Sequence, residues 1–330
     1  MKRLRFTEAE DQSIRRGLRW LSESQKDSGA FGSDHPVAVT SLTGLAFMGY
    51  GEQYNRGRYG AVLVRAVNYL TDLELRKQGR GYIDDGASRM HGHAYAILFL
   101  SQVIGTIPDP ATNERVYEVV RKGVELIAGA QTIDGGWGYG PGDAFDEASI
   151  TVCCLQALRA AKDAGIDLSP LEPGGESRIA VAVRGAVSYL TRCCLEDGSF
   201  KYSLARGVDR SSYELTAAAV STLDAAGEYS GDAHTRGVGY LLRVLSRCGA
   251  TPLRASSNYP FYGNFYAAQV YHQLGGAVWA DWEPAARGEL IAQQNREHGY
   301  WDSKFGREYG TAMALLILEV PVAYLPMYER

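Results

Sequence analysis

The feature that most constrains this chain is a pattern that occurs six times. A helix-like segment runs into a turn of glycine and an aromatic residue, and a second, more apolar helix follows. Four copies are clear, with first halves at residues 15–32, 121–140, 184–202 and 287–303, and two decayed copies lie between them. One hairpin of helices cannot bury its own apolar face, so neighbouring hairpins must stack. The pattern therefore predicts an all-α array of helical hairpins.

The spacing of the copies favours a closed ring over an open superhelix. Equivalent positions are separated by 49, 57, 63, 51 and 50 residues, which is two helices plus loops of variable length. An open solenoid usually keeps a tighter period, whereas a closed ring tolerates loops that vary. We expect a single domain over residues 1–330. The approximate repeats are 10–50, 60–105, 115–165, 178–228, 233–276 and 284–325.

Each clear turn combines residue types with separate physical roles. A glycine supplies the positive φ that ends the outer helix. The aromatic residue just beyond it can fold back between adjacent outer helices, and a glutamine before the turn can bond free carbonyls at the helix end. The glycines are Gly29, Gly135 or Gly136, Gly198 and Gly299; the aromatic residues are Phe31, Trp137, Phe200 and Trp301; the glutamines are Gln25, Gln131 and Gln294.

An apolar–aromatic helix that ends in a Gln…Gly-x-Trp/Phe turn resembles the repeat of squalene and oxidosqualene cyclases and of protein prenyltransferase β-subunits. The resemblance covers about residues 10–325. It implies an α6/α6 toroid, in which six inner helices line a barrel and six outer helices surround it. It indicates fold better than activity, because one fold hosts many functions. The expected inner helices are 37–49, 91–104, 147–161, 212–226, 261–274 and 309–320.

Composition and charge narrow the partners. A net charge of −4 and a pI near 5.9 argue against nucleic acid, which requires a basic face. The N-terminal segment lacks the apolar core of a signal peptide, and the five cysteines are best explained as free thiols, so we expect a cytoplasmic protein. The apolar segment 311–327 is broken by Glu319, Pro321 and Pro326. It does not read as membrane-spanning, but it could dip into one leaflet as a peripheral contact.

Chemistry is expected at the mouth of the barrel, where the N-terminal ends of the inner helices converge and their dipoles add positive potential. The candidate catalytic residues there are Asp146, Glu147, Glu214 and His93. Acids before a helix are often N-caps, so a capping role for each acid stays open. His91 and His93 lie two residues apart, and a helix can therefore present at most one of them to the barrel.

The resembled families have signature acids and ligands that this chain lacks. Prenyltransferases hold zinc with an Asp-x-Cys pair, but two residues after Asp146 and Glu147 come Ala148 and Ser149. Three or four convergent ligands are needed for zinc, so the sequence predicts no metal and no other cofactor. Class II cyclases protonate substrate with the middle acid of Asp-x-Asp-Asp. Here the nearest string is Tyr82-Ile83-Asp84-Asp85, and any catalysis must use a different acid.

Aromatic residues supply the positive indication of a substrate. The chain has 21 tyrosines, and the fifth inner helix is rich in them. Aromatic faces stabilise a carbocation by about 0.5–2 kcal/mol per ring, although ordinary packing between inner helices explains the same residues. The predicted substrate-binding residues are Tyr259, Tyr262, Phe265, Tyr266 and Tyr309, with Arg307 as a site for an anion.

The sequence thus predicts an isoprenoid-handling enzyme, resembling terpenoid cyclases and prenyltransferases, that starts its reaction with an acid at the barrel mouth. One carboxyl among Asp146, Glu147 and Glu214 must then be desolvated and face an apolar cavity of roughly several hundred Å3. The alternative is a non-catalytic relative that keeps the toroid as a binding or scaffold module. Neither oligomeric state nor catalytic competence follows from the sequence.

Overall fold

Twelve α-helices alternate between an inner and an outer layer in the part of the chain that the computed structural model describes, which is residues 6–322 except 77, 78, 171 and 205–209. The inner helices are α2 (Pro36–Gly49), α4 (Arg89–Val103), α6 (Ala148–Asp163), α8 (Tyr213–Ala225), α10 (Pro260–Leu274) and α12 (Arg307–Glu319). The outer helices are α1 (Glu8–Ser24), α3 (Gly60–Arg76), α5 (Pro110–Gly129), α7 (Arg178–Cys193), α9 (Asp232–Leu245) and α11 (Gly276–Gln293).

The inner helices close into a ring. Each packs on the next in the order α2, α4, α6, α8, α10 and α12, and α12 packs back on α2. The predicted α6/α6 toroid is therefore confirmed, and every inner helix begins and ends within two residues of its predicted bounds. The inner helices are buried on nearly all sides. The outer ones bury a single apolar stripe, such as Ile14, Leu18 and Leu21 in α1.

The turns that join outer to inner helices follow the predicted pattern. The four predicted glycines have φ between +86° and +90°, with Gly135 rather than Gly136 as the third. Gly135 also lies against the neighbouring outer helix, where an added Cβ would stand 2.4 Å from the Gly185 carbonyl oxygen. The aromatic residues after the glycines are buried. Glycine is needed here both for its conformation and for close approach of two backbones.

Glutamine side chains tie neighbouring outer helices together. The Gln131 amide donates to the carbonyl of Gly135 in its own turn and to that of Ala182 in α7, both at 2.8 Å. Gln294 likewise bonds Gly299 and reaches Ser13 in α1, so it joins the last repeat to the first. The sequence predicts that these amides satisfy the end of their own helix. They bond the carbonyl of the turn and a carbonyl of the neighbouring outer helix instead.

A side chain of each inner helix holds the turn that precedes it. In four repeats a threonine hydroxyl accepts the backbone N–H of the buried aromatic residue, as Thr151 does from Trp137 at 3.1 Å. His93 takes this place in the second repeat, and Asn264 holds Leu253 in the fifth. We call these six side chains the anchor residues. They are Thr40, His93, Thr151, Thr216, Asn264 and Thr311.

Outside the helices, the described residues form one short antiparallel ribbon. β1 (Phe200–Lys201) pairs with β2 (Ser211–Ser212), with Phe200 opposite Ser212, directly before α8. No helix among the described residues is long and apolar enough to cross a membrane. In the segment predicted to contact a leaflet, residues 311–319 belong to buried α12 and residues 323–327 lie outside the described residues.

Candidate functional site

A cavity of about 720 Å3 lies where the N-terminal ends of the inner helices meet. Each inner helix contributes the residue two positions before its anchor residue. Two positions turn an α-helix by about 200°, so a residue two before an outward-facing anchor faces the barrel. We call these six residues the mouth ring, and all of them line the cavity. They are Ala38, His91, Ser149, Glu214, Tyr262 and Tyr309.

Glu147 lies beside this ring at the start of α6 and is 4% exposed. Its Oε1 accepts a hydrogen bond of 2.7 Å from the Ser149 hydroxyl, and Ser149 Oγ lies 3.1 Å from His91 Nε2. Its Oε2 is shielded from water and makes no hydrogen bond of ordinary geometry to the described residues. The Tyr262 hydroxyl is shielded and unpartnered in the same sense. Both oxygens belong to residues that line the cavity, although neither oxygen is itself exposed to it.

Two tyrosines flank the Glu147 carboxyl. The hydroxyls of Tyr139 and Tyr202 lie 2.9 Å from each other, and both residues line the cavity. Burial raises the pKa of both phenols, and the nearby Glu147 charge raises each of them further. Both hydroxyls therefore stay protonated and can donate hydrogen bonds near the carboxyl.

Glu214 lines the cavity as predicted, but one of its carboxyl oxygens accepts hydrogen bonds that hold a neighbouring segment of the protein. Oε1 accepts from the Ser256 hydroxyl at 3.2 Å and from the backbone N–H groups of Asn258 and Tyr259 at 3.0 and 3.4 Å. These donors belong to the segment that leads into α10. Glu214 therefore holds the start of a neighbouring inner helix, much as an N-cap does.

Asp146 does not line the cavity. Its carboxyl accepts from the Tyr189 hydroxyl, from Ser203 Oγ at 3.0 Å and from the Leu204 N–H at 3.2 Å. It is 2% exposed and ties the segment before α8 to outer helix α7. The predicted catalytic role of Asp146 is at odds with this placement, because its oxygens face the protein and not the barrel.

His93 is an anchor residue and also lies away from the cavity. Its Nδ1 accepts the Ile83 N–H at 3.2 Å, and its Nε2 lies 3.2 Å from the Gly123 carbonyl, which fixes the proton on Nε2. Burial lowers the pKa of His93 to about 4. The helix geometry that allowed only one of the two histidines to face the barrel selects His91, not His93.

The predicted substrate-binding residues divide between the cavity and the core. Tyr259, Tyr262 and Tyr309 line the cavity. Phe265 and Tyr266 are buried outside its lining, and the Tyr266 hydroxyl donates to Gln156 Oε1 at 3.1 Å. These two residues follow Tyr262 by three and four positions, one turn deeper in the barrel, where side chains of the protein fill the space.

Arg307 does not reach the cavity either. It is paired with Asp302 at 3.0 Å, and its guanidinium lies 4.2 Å from the centre of the Tyr300 ring. Two other cations line the cavity instead. Arg210 lies over Tyr202 at 4.2 Å, and Lys304 lies over Tyr259 at 3.7 Å. Each cation is held against a tyrosine face at the rim.

The acids nearest to the cyclase motif serve the fold. Asp85 accepts from the Val37 N–H of α2 at 2.7 Å and from the N–H groups of Ala87 and Ser88. Burial alone would raise the pKa of Asp85, but these hydrogen bonds outweigh it and lower the pKa below its ordinary value. Asp85 is therefore an ionised cap shared by α2 and the segment before α4, which does not suit a proton donor. Among the described residues no three His, Cys, Asp or Glu side chains converge as metal ligands.

Four residues that line the cavity were not among the site residues predicted from the sequence. They are His91, Ser149, Arg210 and Lys304. Aligning the six repeats on their anchor residues would have found His91 and Ser149, since both stand two positions before an anchor. Arg210 and Lys304 lie in segments of irregular length that lead into α8 and α12. No repeat position predicts them.

No family profile and no curated protein sequence matches this chain. Solved structures with the same fold include an α-1,6-mannanase of Salegentibacter in complex with α-1,6-mannotriose, with a TM-score of 0.68, 8% identity and coverage of 96% of this chain and 99% of that one. They include the type II terpene cyclase MstE from Scytonema, with a TM-score of 0.65, 16% identity and coverage of 97% and 100%. A protein from Actinoplanes has a TM-score of 0.57, 14% identity and the same coverage. At these identities the likeness establishes the toroid fold and no activity.

Proposed function

We propose that this protein is an enzyme that starts the conversion of an isoprenoid substrate by transferring a proton from Glu147. The observation that carries the proposal is the Glu147 carboxyl itself. It is buried beside a cavity of about 720 Å3, one oxygen is held by Ser149, and the other makes no hydrogen bond of ordinary geometry, although the Tyr139 and Tyr202 hydroxyls lie close to the carboxyl. A general acid needs a defined orientation, and a turn of the carboxyl group would bring this oxygen to a substrate in the cavity.

The lining of the cavity suits a large, mainly apolar ligand. Val39, Leu42 and Leu215 provide aliphatic surface, and Tyr262 and Tyr309 present aromatic rings from neighbouring helices. Protonation of an alkene or epoxide leaves a positive charge on carbon. Aromatic faces stabilise such a charge by about 0.5–2 kcal/mol each. The cavity volume also falls in the range of roughly 300–1,000 Å3 that is usual for small-molecule sites.

Structures of the same fold support this substrate class. MstE has been solved with geranylgeranyl dihydroxybenzoate as substrate and with merosterolic acid A as product. The toroid can therefore enclose a C20 isoprenoid chain in a protein whose length this chain matches. The specific isoprenoid for this protein is part of the proposal.

The polarity of the rim favours a second candidate, which is hydrolysis of a glycoside. Two carboxyl residues, Glu147 and Glu214, line one cavity together with Asn258 and several hydroxyls, and paired carboxyls are the usual machinery of glycosidases. Against it stands the commitment of Glu214 Oε1 to three donors from the α10 segment. We therefore rank it second.

A panel of candidate substrates tests the proposal. Purified protein is incubated with farnesyl and geranylgeranyl diphosphates, squalene, oxidosqualene and α-1,6-mannooligosaccharides, and products are identified by mass spectrometry. We expect a cyclised isoprenoid that disappears in Glu147→Gln. Release of mannose units would favour the glycosidase. Binding that survives in Glu147→Gln, with no product from either protein, would favour the binding module.

Glu74→Gln is the matched control. Glu74 is also fully buried, with Oε1 accepting the Gly81 N–H at 2.9 Å and Oε2 unpartnered, but it lies in α3 away from the cavity. It should leave turnover unchanged. Loss of turnover in both variants, accompanied by lower stability, would mean that Glu147 acts through the fold and would overturn its role as the acid.

A further inference from the structure

A continuous chain of hydrogen bonds leads from the Glu147 carboxyl to an imidazole in the neighbouring helix. Ser149 Oγ donates to Glu147 Oε1 at 2.7 Å and lies 3.1 Å from His91 Nε2. A serine hydroxyl has a single proton. Since that proton is given to Glu147, the Ser149 oxygen must accept from an Nε2–H of His91. The geometry thus fixes which atom donates in each of the two hydrogen bonds, and with it the tautomer of His91.

We propose that His91 and Ser149 form a proton relay that restores the proton on Glu147 after each turnover. This inference rests on the proposed function of Glu147 as the acid. It gives two residues of the mouth ring a role in proton transfer. It predicts that the Ser149 hydroxyl and the His91 imidazole each pass on one proton in every catalytic cycle.

The steps of the relay balance without any redox partner. Glu147 gives the proton on Oε2 to the substrate and becomes a carboxylate. The Ser149 hydroxyl proton then moves to Oε1, the Nε2 proton of His91 moves to Ser149 Oγ, and Nδ1 of His91 takes a proton from water at the mouth. Rotation of the carboxyl group then turns the new proton away from Ser149 and towards the cavity. The cyclised cation then loses a proton to water, so the proton taken from solvent is returned to it. Exchange of the His91 proton from Nδ1 to Nε2 through water at the mouth resets the relay.

A relay is needed because Glu147 is shut away from bulk water. The residue is 4% exposed, and its Oε2 is inaccessible to solvent. After proton transfer it would be a buried carboxylate, which is costly unless it is quickly neutralised. The Tyr139 and Tyr202 hydroxyls also lie beside it, but both phenols stay protonated, whereas an imidazole can take up and release a proton near neutral pH.

His91 is suited to pass protons as a neutral ring. Burial lowers the pKa of His91, the Glu147 carboxyl on α6 opposes that shift when it is ionised, and His35 before α2 adds to the shift. The Tyr139 ring packs 5.9 Å from the imidazole. At neutral pH the ring therefore carries one proton and can release it from Nε2 while Nδ1 accepts another.

The first test needs no substrate. In protein labelled with 15N at histidine, NMR should show His91 as the Nε2–H tautomer, with the resonance assigned by its loss in His91→Asn. Ser149→Ala should leave a mixture of tautomers, and Ser149→Thr should restore the wild-type form. Glu147→Gln keeps an oxygen that can accept from Ser149 and should leave His91 as the Nε2–H tautomer. An Nδ1–H tautomer in the wild-type protein would overturn the relay.

The second test separates the relay from the acid, using squalene and geranylgeranyl diphosphate as probes. Ser149→Ala removes both the relay and a hydrogen bond that holds Glu147, so it should slow steady-state turnover by about tenfold or more beyond any slowing of its own first turnover. Ser149→Thr should recover it. Wild-type steady-state rates in Ser149→Ala would refute the relay alone. If neither probe is turned over by the wild-type protein, the proposed function fails and the relay fails with it.

Discussion

The anchor residues and the mouth ring lie two positions apart on the same six inner helices. The residue type is nearly constant among the repeats at the anchor position and differs widely among them in the mouth ring. Four anchors are threonine, and His93 and Asn264 bond the same part of the turn. The mouth ring contains six residues of five chemical kinds, with tyrosine alone occurring twice. The anchors repeat because each hairpin must hold its own turn.

The difference separates the requirements of the fold from those of the site. An anchor faces the turn and satisfies one buried N–H or carbonyl, a demand that every repeat makes alike. A mouth-ring residue faces the cavity, and apart from Glu214, which also holds the segment before α10, none accepts a backbone N–H in the described structure, so each repeat is free to carry different chemistry. Substitutions at anchors and turns should therefore lower stability, while substitutions in the mouth ring and at Glu147 should change activity.

The largest effect on stability is expected at a buried turn tryptophan. Trp301 is 1% exposed, and its indole N–H donates to the Leu290 carbonyl at 2.7 Å. Trp301→Ala should cost about 3–5 kcal/mol of unfolding free energy, measured by chemical denaturation. Trp301→Phe keeps most of the buried surface and should cost clearly less. Equal losses in the two variants would mean that the hydrogen bond, and not the packing, holds the turn.

The fold could be predicted because the same hairpin pattern occurs six times in the sequence, and the residues that define it act within their own turn. Gly29, Phe31 and Gln25 each have a turn function that short-range geometry dictates, so even decayed copies could be placed in register. The site could be predicted only in part. Asp146 and Glu147 are adjacent in sequence and both are acids before α6, but only Glu147 faces the barrel. The choice depends on Tyr189 and Ser203, which lie 43 and 57 residues away, and no local pattern reveals it.

Acid should destabilise the protein through His93, the one anchor residue with a titrating side chain. The pKa of His93 falls from an ordinary 6.5 to about 4 on folding because of burial. Between these values the unfolded chain binds the extra proton and the folded protein does not, so stability is fully present above pH 6.5 and falls as pH drops towards 4. The expected loss is about 3 kcal/mol.

His93→Asn is the matching variant, because its amide oxygen can still accept the Ile83 N–H but does not titrate. It should be less stable than the wild type at neutral pH, since the bond to Gly123 is lost, and should show a weaker decline in acid. Unfolding free energies measured between pH 7 and pH 4 check this. Parallel pH profiles for the two proteins would assign the acid loss to other groups.

Alanine substitutions at two glycines should change stability in opposite directions, because one glycine lies in a turn and the other lies within a helix. Gly135 has φ +90°, and an added Cβ would meet the Gly185 carbonyl oxygen at 2.4 Å. Gly135→Ala should therefore cost about 2 kcal/mol or more. Gly288 lies within α11 with open space around it, so Gly288→Ala should stabilise by about 0.5–1 kcal/mol. Thermal unfolding of both variants checks the signs. A tolerated alanine at Gly135 would show that the outer helices can move apart.

The smallest and sharpest difference is expected between two buried threonines. Thr151 is an anchor that accepts the Trp137 N–H at 3.1 Å, whereas the hydroxyl of Thr43 in α2 has no partner among the described residues, and both are fully buried. Valine has the same shape as threonine without the hydroxyl. Thr151→Val leaves a buried N–H unpaired and should cost about 1–2 kcal/mol. Thr43→Val removes only an unsatisfied hydroxyl and should be neutral or slightly stabilising. Neither residue lines the cavity. The Thr151 hydroxyl also donates to the Glu147 carbonyl at 2.9 Å, a group that accepts the Thr151 N–H as well, so turnover should stay close to the wild-type level in both variants. If Thr151→Val lost activity without losing stability, the anchors would belong to the site, and the division between the two positions would collapse.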